Sequence, residues 1–274
     1  MVNDGFSCLT KILAIPKYYF NAKLSQLVAM KRSLTTLNRP AETNSTTASA
    51  GSEAIDDYLK AIFQLSGREE RQVSSTEIAA NLDITAASVT NMLQKLALQE
   101  PPLVVYEKHY GVKLAKAGKR RALEIIRHHR LLETFLHQVL DYPWDEVHQE
   151  AERLEHFISE RFEERIAAKL GHPEFDPHGH AIPAMDGSLP SKDNKEPQSL
   201  SQLRPGQSAK VSSVSDKDPE MLRYLASQGI RPGVRLTLSE QLPFKGAYQI
   251  RIGTSAKPAL LSHSLAEAIS VAVK

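Results

Sequence analysis

The chain has 274 residues, 41% of them hydrophobic and 24% charged, with a net charge of only +2. That length suits two small domains plus tails, and so near a charge balance means that any strong positive potential must be local. The single cysteine, Cys8, excludes a disulfide framework and points to a reducing cytoplasm, and Pro16 and nearby lysines interrupt the one apolar stretch near the N-terminus that could approach a membrane span.

Residues 1–52 read as a disordered N-terminal extension. Lys11, Lys17 and Lys23 occur without the apolar core or cleavage site of a targeting peptide, and a translation start at Met30 is the alternative account of this leader. Residues 40–52 form a Ser/Thr/Ala-rich linker of low complexity. A first helix is expected over Ile55–Leu65, carrying Asp57 and Lys60. Ser74-Ser75-Thr76-Glu77 is a capping box that opens a short helix to Leu82. Asp83 and Ile84 make a turn, and Thr85 caps a second helix, Ala86–Leu98, whose apolar stripe is Val89, Leu93 and Leu96. Its other face carries Ala87, Ser88, Asn91, Gln94 and Lys95, small or polar side chains of the kind that enter a major groove and reach base edges. Strands at Leu103–Glu107 and Val112–Leu114, joined by a turn at Lys108–Gly111, complete a winged helix-turn-helix. Two short amphipathic helices are common by themselves. The wing and the basic tract after it, Lys113, Lys116, Lys119, Arg120, Arg121, Arg127 and Arg130, make the pattern a DNA-binding one, the cations being placed for phosphates.

A long helix is expected over Lys116–Leu140, with Leu123, Ile126, Leu131, Phe135 and Val139 as its core positions. It bears His129 and Glu133 at i, i+4. Tyr142-Pro143-Trp144-Asp145 ends it, and Asp145 is expected to cap a further helix running through Ile158. That helix places His148, Glu152, Glu155 and His156 at i, i+4, i+7 and i+8, on one stripe. Imidazoles and carboxylates from two packed helices can converge on a divalent cation, and the same spacing also fits an ion-paired surface face. A helix over Ser159–Leu170 follows. Residues 171–197 then read as a flexible loop and linker, in which His178 and His180 could bind stray metal but are read as ordinary loop residues. His128 lies about 100° around the helix from His129 and is expected at the surface. From 200 to 274 the chain alternates like short strands, at Ala209–Val211, Arg235–Leu238 and Tyr248–Ile252, with a helix near Asp218–Gln228 and a turn at Arg231-Pro232-Gly233.

Residues 53–186 resemble the diphtheria toxin repressor family of metal-dependent transcription regulators, and most closely its manganese-responsive branch. The resemblance is carried by Asp57-Tyr58-Leu59-Lys60-Ala61-Ile62, Ser88-Val89-Thr90-Asn91-Met92, His128-His129-Arg130-Leu131-Leu132-Glu133, His148-Gln149-Glu150-Ala151-Glu152, Glu155-His156 and Asp176-Pro177-His178-Gly179 with Ile182-Pro183. The remaining C-terminal part resembles the small FeoA-like β-barrel of many members. The implied fold is mainly α: a winged helix-turn-helix domain (53–115), a helical metal-binding and dimerisation domain (116–186), a linker (187–199) and a small all-β barrel (200–274).

The resemblance also implies a principal metal site of Asp57, Glu152, Glu155 and His156. An ancillary site would use His129, Glu133 and His148, with an oxygen ligand from the C-terminal domain, Asp216 or behind it Asp218. Iron-responsive members have methionine and cysteine at the positions of Asp57 and Glu152, so the hard oxygens here imply Mn²⁺, with Fe²⁺ as the alternative. Manganese regulators without the barrel carry a second acid where this chain has Lys60, so a closely spaced two-metal cluster is not implied. The implied function is a manganese-dependent repressor of metal-uptake genes, cytoplasmic and not an enzyme, binding an inverted-repeat double-stranded DNA operator as a homodimer through Thr85, Ala87, Ser88, Asn91, Gln94, Lys95, Lys116 and Arg120. No membrane or small-molecule substrate is implied. Of two rival readings, a metallohydrolase lacks a His-Glu-x-x-His motif and an evident nucleophile. A metal-independent architectural DNA-binding protein would leave the ligand stripe as a packing face.

Overall fold

The computed structural model describes residues 45–67, 70–190, 197–243, 246–253 and 258–273. Cys8, Met30 and most of the expected extension lie outside them. Helix α1 (Ser45–Ser66) starts well before Ile55, so residues 45–52 are helical rather than a flexible linker. Once Tyr58, Leu59 and Ile62 anchor the helix in a core, adding a proline-free Ser/Ala run is propagation, which is far easier than nucleation.

Helix α2 (Ser75–Leu82) begins with the expected capping box: the Glu77 backbone N–H donates to Ser74 Oγ, and the Ser74 N–H donates back to the Glu77 carboxylate at 2.9 Å. Asp83 turns the chain in the left-handed region (φ 53°), its N–H bonded to the Ala79 carbonyl. Thr85 then caps α3 (Ala86–Ala97) by accepting from the Ser88 N–H. Strands β1 (Val104–Glu107) and β2 (Gly111–Leu114) pair antiparallel as the wing, and Val73 adds a bridge to Val112. The inward residues of α1, α2, α3 and the wing share one core, including Leu59, Ile78, Val89, Leu93, Leu96 and Val112. Helix α4 (Lys116–Val139) leaves the wing so close to it that a Cβ at Gly118 would collide with the Leu103 carbonyl.

Helix α5 (Val147–Leu154) is shorter than expected at both ends. Asp145 does not cap it, because its carboxylate accepts from Arg223 at 2.7 Å. The helix stops at Leu154, and Glu155 and His156 lie in the turn that follows, so only His148 and Glu152 of the ligand stripe are within helix. The chain is redirected there because Ser159 starts the next helix, α6 (Glu160–Lys169), by accepting from the Phe162 N–H. Leu131, Leu132, Leu136, Val147, Ala151 and Ile166 form the core of this middle region.

The C-terminal part comprises β3 (Gln198–Ser199), β4 (Ser208–Val214), α7 (Pro219–Ser227), β5 (Arg235–Gln241), β6 (Tyr248–Ile252), β7 (Ala259–Leu261), α8 (His263–Glu267) and β8 (Ile269–Val273). Its strands form one antiparallel sheet in the order β3-β8-β4-β5-β6-β7. Among the described residues β3 and β7 are end strands that do not pair with each other, so the sheet is not observed as a closed barrel. This core also includes Trp144 from the middle region, whose ring lies 4.8 Å from the Arg231 guanidinium.

The 171–190 segment, expected to be flexible, is instead pinned between these regions. Phe175 bridges to Ala181, the Val214 N–H donates to the His178 carbonyl at 3.0 Å, and Gly179 sits where any Cβ would meet the Ser212 carbonyl. No helix among the described residues is long and apolar enough to cross a membrane.

Candidate metal centre and nucleic-acid interface

Two groups of potential ligands lie on opposite sides of His129. The first lies between α1 and the end of α5, where one donor atom from each of Asp57, Glu155 and His156 falls within 4.8 Å of the other two. His156 Nε2 is 3.1 Å from Asp57 Oδ1, and that hydrogen bond, against the opposing effect of burial, holds the imidazole pKa above its ordinary value. Glu152, expected in the same set, turns instead toward α1. It joins His129 and Glu155 in an adjoining triad whose donor atoms also lie within 4.8 Å of one another. Lys60 stands inside that triad. Its Nζ donates to Glu152 Oε1 at 2.8 Å and to Glu155 at 2.9 and 2.8 Å, and lies 3.3 Å from His129 Nδ1. Burial opposes the ammonium charge, but Glu155 and Glu152 outweigh it and raise the Lys60 pKa.

The second group is His129, Glu133, His148 and Asp216, again within 4.8 Å. Glu133 is fully buried and lies 3.1 Å from His129 Nε2 and 3.2 Å from His148 Nδ1. Burial works against its charge, but His129 foremost among its neighbours holds the carboxyl well below the usual carboxylate range. Burial likewise disfavours a charged His129, yet the Glu133 carboxylate pushes its pKa up to about 9. Asp216 comes from just beyond β4 and reaches 3.7 Å from His148 Nδ1. Asp218 stays out of the group, its carboxylate capping α7 through the Glu220 and Met221 N–H groups.

Three residues of the 171–190 segment extend this second group and were not expected there. His178 Nδ1 is 3.5 Å from Glu133 Oε1, and His180 Nδ1 is 3.3 Å from both Asp176 Oδ2 and Asp216 Oδ2. Glu133, Asp176 and His178 form a further fully buried triad. The usable signal was Asp176-Pro177-x-Gly179, an ordered-turn sequence: Asp176 Oδ1 accepts from the His178 and His180 N–H groups at 2.8 and 2.9 Å. His128 is also a correction, since it is buried rather than at the surface. Its Nε2 is 3.1 Å from Glu163 and its Nδ1 3.2 Å from the Glu155 carbonyl, so it braces the turn that carries Glu155 and His156.

The donors fit a hard or borderline divalent cation. They are carboxylates and imidazoles with no sulfur, and Glu133 Oε2, His156 Nδ1 and His178 Nδ1 are buried without a hydrogen-bond partner. A buried lone pair left unmatched in a polar cluster is what a ligand position looks like before an ion is added.

The DNA-type face is different in character. Thr85, Ala87, Ser88, Asn91, Gln94 and Lys95 are all exposed on α3, and Lys116 and Arg120 are exposed on α4. Lys116 and Arg120 make no side-chain ion pair or hydrogen bond among the described residues. Lys113 on β2 is likewise exposed and unpaired among the described residues, but the other members of the basic tract behave otherwise. Arg121 binds Asp56, Arg127 binds Glu163 and the Pro183 carbonyl, and Arg130 binds the Ala181 carbonyl. Those three arginines are internal ties, and Lys119 pairs with Glu70 on the surface. The exposed and unpaired part of the basic tract is therefore smaller than its sequence suggests.

The chain is similar to known proteins over most of its described length. Three family profiles match in succession: "Iron dependent repressor, N-terminal DNA binding domain" over residues 52–112, "Iron dependent repressor, metal binding and dimerisation domain" over 115–184, and "FeoA domain" over 198–273. The iron-dependent repressor IdeR of Mycobacterium leprae is 30% identical over 231 residues, covering 80% of this chain and 96% of the relative. The HTH-type transcriptional regulator MntR of Bacillus subtilis is 30% identical over 123 residues, 45% of this chain and 84% of that protein. A solved structure of a manganese-dependent transcriptional repressor in complex with manganese is 41% identical, with a TM-score of 0.72 over 80% of this chain and all of that one. The manganese regulator SloR is 33% identical, with a TM-score of 0.65 over 80% and 98% of the two chains.

Proposed function

This chain belongs to the diphtheria toxin repressor family of metal-dependent, DNA-binding transcriptional repressors, and from that premise we propose that it is a manganese-responsive member. In this reading it binds an inverted-repeat operator of metal-uptake genes as a homodimer. The observation that carries the metal assignment is the donor set at the α1–α5 cluster, Asp57, Glu155 and His156 with Glu152 beside them, which offers charged oxygens and one imidazole but no thioether or thiolate. The relative solved with manganese supports the same choice. The relatives named iron-dependent favour Fe²⁺ as the second reading.

A dication held there would supply positive charge among clustered carboxylates and join α1 to the α5 turn. Asp57 is the ligand that matters for coupling, because it alone of the set sits on α1. Tyr58, Leu59 and Ile62 on that helix pack into the core that also holds Val89, Leu93 and Leu96 of α3, so the position of α1 bears directly on that of the recognition helix. The linkage is thermodynamic: a ligand that favours the DNA-competent arrangement raises DNA affinity by its differential affinity for it, on the order of 1–3 kcal/mol. His129, Glu133, His148 and Asp216, with Asp176, His178 and His180 beside them, make the second metal position in this reading. That position ties the C-terminal domain to α4. Exposed Phe157, directly after His156, and exposed Phe162 on α6 offer apolar surface to a second copy.

The test is operator affinity across Mn²⁺, Fe²⁺ (anaerobic), Co²⁺ and Zn²⁺, for the wild type and for a chain with Asp57→Met and Glu152→Cys. The wild type is expected to respond best to Mn²⁺ even where Zn²⁺ binds as tightly, and the double variant to shift toward Fe²⁺ or Co²⁺. A wild type that prefers Fe²⁺, with no change in the double variant, overturns the manganese assignment. DNA binding indifferent to every metal overturns metal control itself.

A further inference from the structure

His156 stands between two consecutive aspartates of α1. Its Nε2 lies 3.1 Å from Asp57 Oδ1, and its Nδ1 lies 3.9 Å from Asp56 Oδ2. Neighbouring residues of a helix point about 100° apart, so both carboxylates reach one ring only because the ring lies against α1 between them. Nδ1 is buried with no hydrogen-bond partner among the described residues, and the His156 and Asp56 side chains are only 9% and 15% exposed. Asp56 is itself held. Arg121, on α4, donates to Asp56 Oδ1 through Nε and to Oδ2 at 3.2 Å, and the same guanidinium reaches Ser52 Oγ, one turn earlier on α1, at 2.8 Å.

We propose that Asp56 is the positioning residue of the first cluster: it accepts the Nδ1–H of His156, and Arg121 keeps its carboxylate aimed for that bond. The proposal rests on the reading above that this cluster binds a divalent cation, and Asp56 is not a ligand in it. Nε2 is the nitrogen on the ligand side, beside Asp57 and Glu155. A coordinating nitrogen carries no proton, so the ring proton belongs on Nδ1, where a nearly dry site has to supply an acceptor. Closure of roughly 1 Å brings Asp56 Oδ2 to hydrogen-bond distance. An imidazole whose remote N–H is given to a carboxylate is fixed in one tautomer and one orientation, and is a more basic ligand. Asp56 and Asp57 then grip the turn after α5 through both edges of one ring. Arg121 carries the same constraint to α4, next to the exposed Arg120.

The full chain, labelled with ¹⁵N at histidine, is loaded with Cd²⁺, which is diamagnetic and leaves imidazole signals sharp, and the ring of residue 156 is assigned by its loss in His156→Gln. The wild type is expected to show Nε2 without a proton, and an Nδ1–H that exchanges slowly with water and lies within nuclear Overhauser range of the Asp56 methylene. This spectrum decides the matter even if Asp56→Asn does not fold. In equilibrium dialysis, Asp56→Asn is expected to bind Mn²⁺ at this cluster about 10–100-fold more weakly. Arg121→Gln breaks the same ion pair but leaves the carboxylate, and should lose less. A His156 protonated at Nε2 in the Cd²⁺ form, an Nδ1–H remote from Asp56, or equal losses in Asp56→Asn and Arg121→Gln each overturns the role of Asp56 while leaving metal binding intact. A wild type that takes up neither ion overturns the metal reading beneath it.

Discussion

The two ligand groups use the same residue types and share His129, yet their surroundings differ. In the first, the Asp57 and Glu152 side chains are 44% and 42% exposed, and a lysine supplies the counter-charge. In the second, the Glu133 and His178 side chains are fully buried, Asp216 is 18% exposed, and α4, α5, the 171–190 segment and the end of β4 all contribute. The first cluster is open to solvent at Asp57 and Glu152, whereas the second is enclosed between α4, α5, the 171–190 segment and the end of β4. The pattern suits a responsive site beside a structural one, and it assigns different costs to the loss of a carboxylate in each.

The largest expected effect tests that contrast in the metal-free protein. Glu133→Gln removes the charge on which buried His129 and His178 and part-buried His148 converge, and should cost about 3–5 kcal/mol in urea unfolding. Asp57→Asn, at a half-exposed position, should cost no more than about 1 kcal/mol. Equal losses would erase the distinction between the two groups. Loss of metal-stimulated DNA binding in Asp57→Asn with unfolding unchanged would sharpen it.

Next in size is a pH dependence of the enclosed group. With metal absent, the His129 pKa stands near 9 in the folded chain against about 6.5 unfolded. A pKa raised by folding means that the folded state binds the proton more tightly than the unfolded one, so protonation stabilises the fold. The contribution is therefore complete below about pH 6.5 and lost as the pH rises through about 9, roughly 3 kcal/mol at most. Melting in chelator between pH 6 and 10 should show a decline over that window, and His129→Gln should flatten it. Metal uptake should run the other way, strengthening with pH as His129 gives up its proton.

How much of this was legible in the sequence depended on distance along the chain. The capping box at Ser74, the Thr85 cap and the apolar stripe of α3 are local, and they appear as expected. Lys60 and Glu155 are 95 residues apart, and no helical spacing could reveal that the lysine would lie among the ligands. The same limit hid the inward turn of Arg121, Arg127 and Arg130, whose partners Asp56, Glu163 and Ala181 lie on other elements. His178 was misjudged because a proline- and glycine-rich segment was equated with mobility, whereas Asp176, Gly179 and the Val214 N–H pin it. His128 was misplaced for a related reason: an angle around a helix says which face a residue takes, not whether another element covers that face, and α6 does. Strands β3 and β7 escaped notice because they are three residues or shorter, and β8 because its five residues follow α8 with no glycine or proline to mark the boundary.

The smallest effects concern the exposed face, where the contrast is between charges the fold consumes and those it leaves over. Arg121 and Arg127 are engaged internally, so Arg127→Ala should lower stability and leave the salt dependence of DNA binding unchanged. Arg120 and Lys116 are exposed and unpaired among the described residues, so removing either should weaken operator and random DNA alike and reduce the slope of log affinity against log salt by about 1. Asn91, also exposed on α3, differs again: Asn91→Ala should cost about 1–3 kcal/mol at one operator position and leave random DNA and the salt slope untouched, as a base-edge contact requires. Salt titrations of these variants against operator and random duplexes separate the three classes. A flattened slope in Arg127→Ala would mean that its internal pairing yields to DNA. An unaltered slope in both Lys116→Ala and Arg120→Ala would remove the start of α4 from the interface and leave phosphate contact to α3 and the wing.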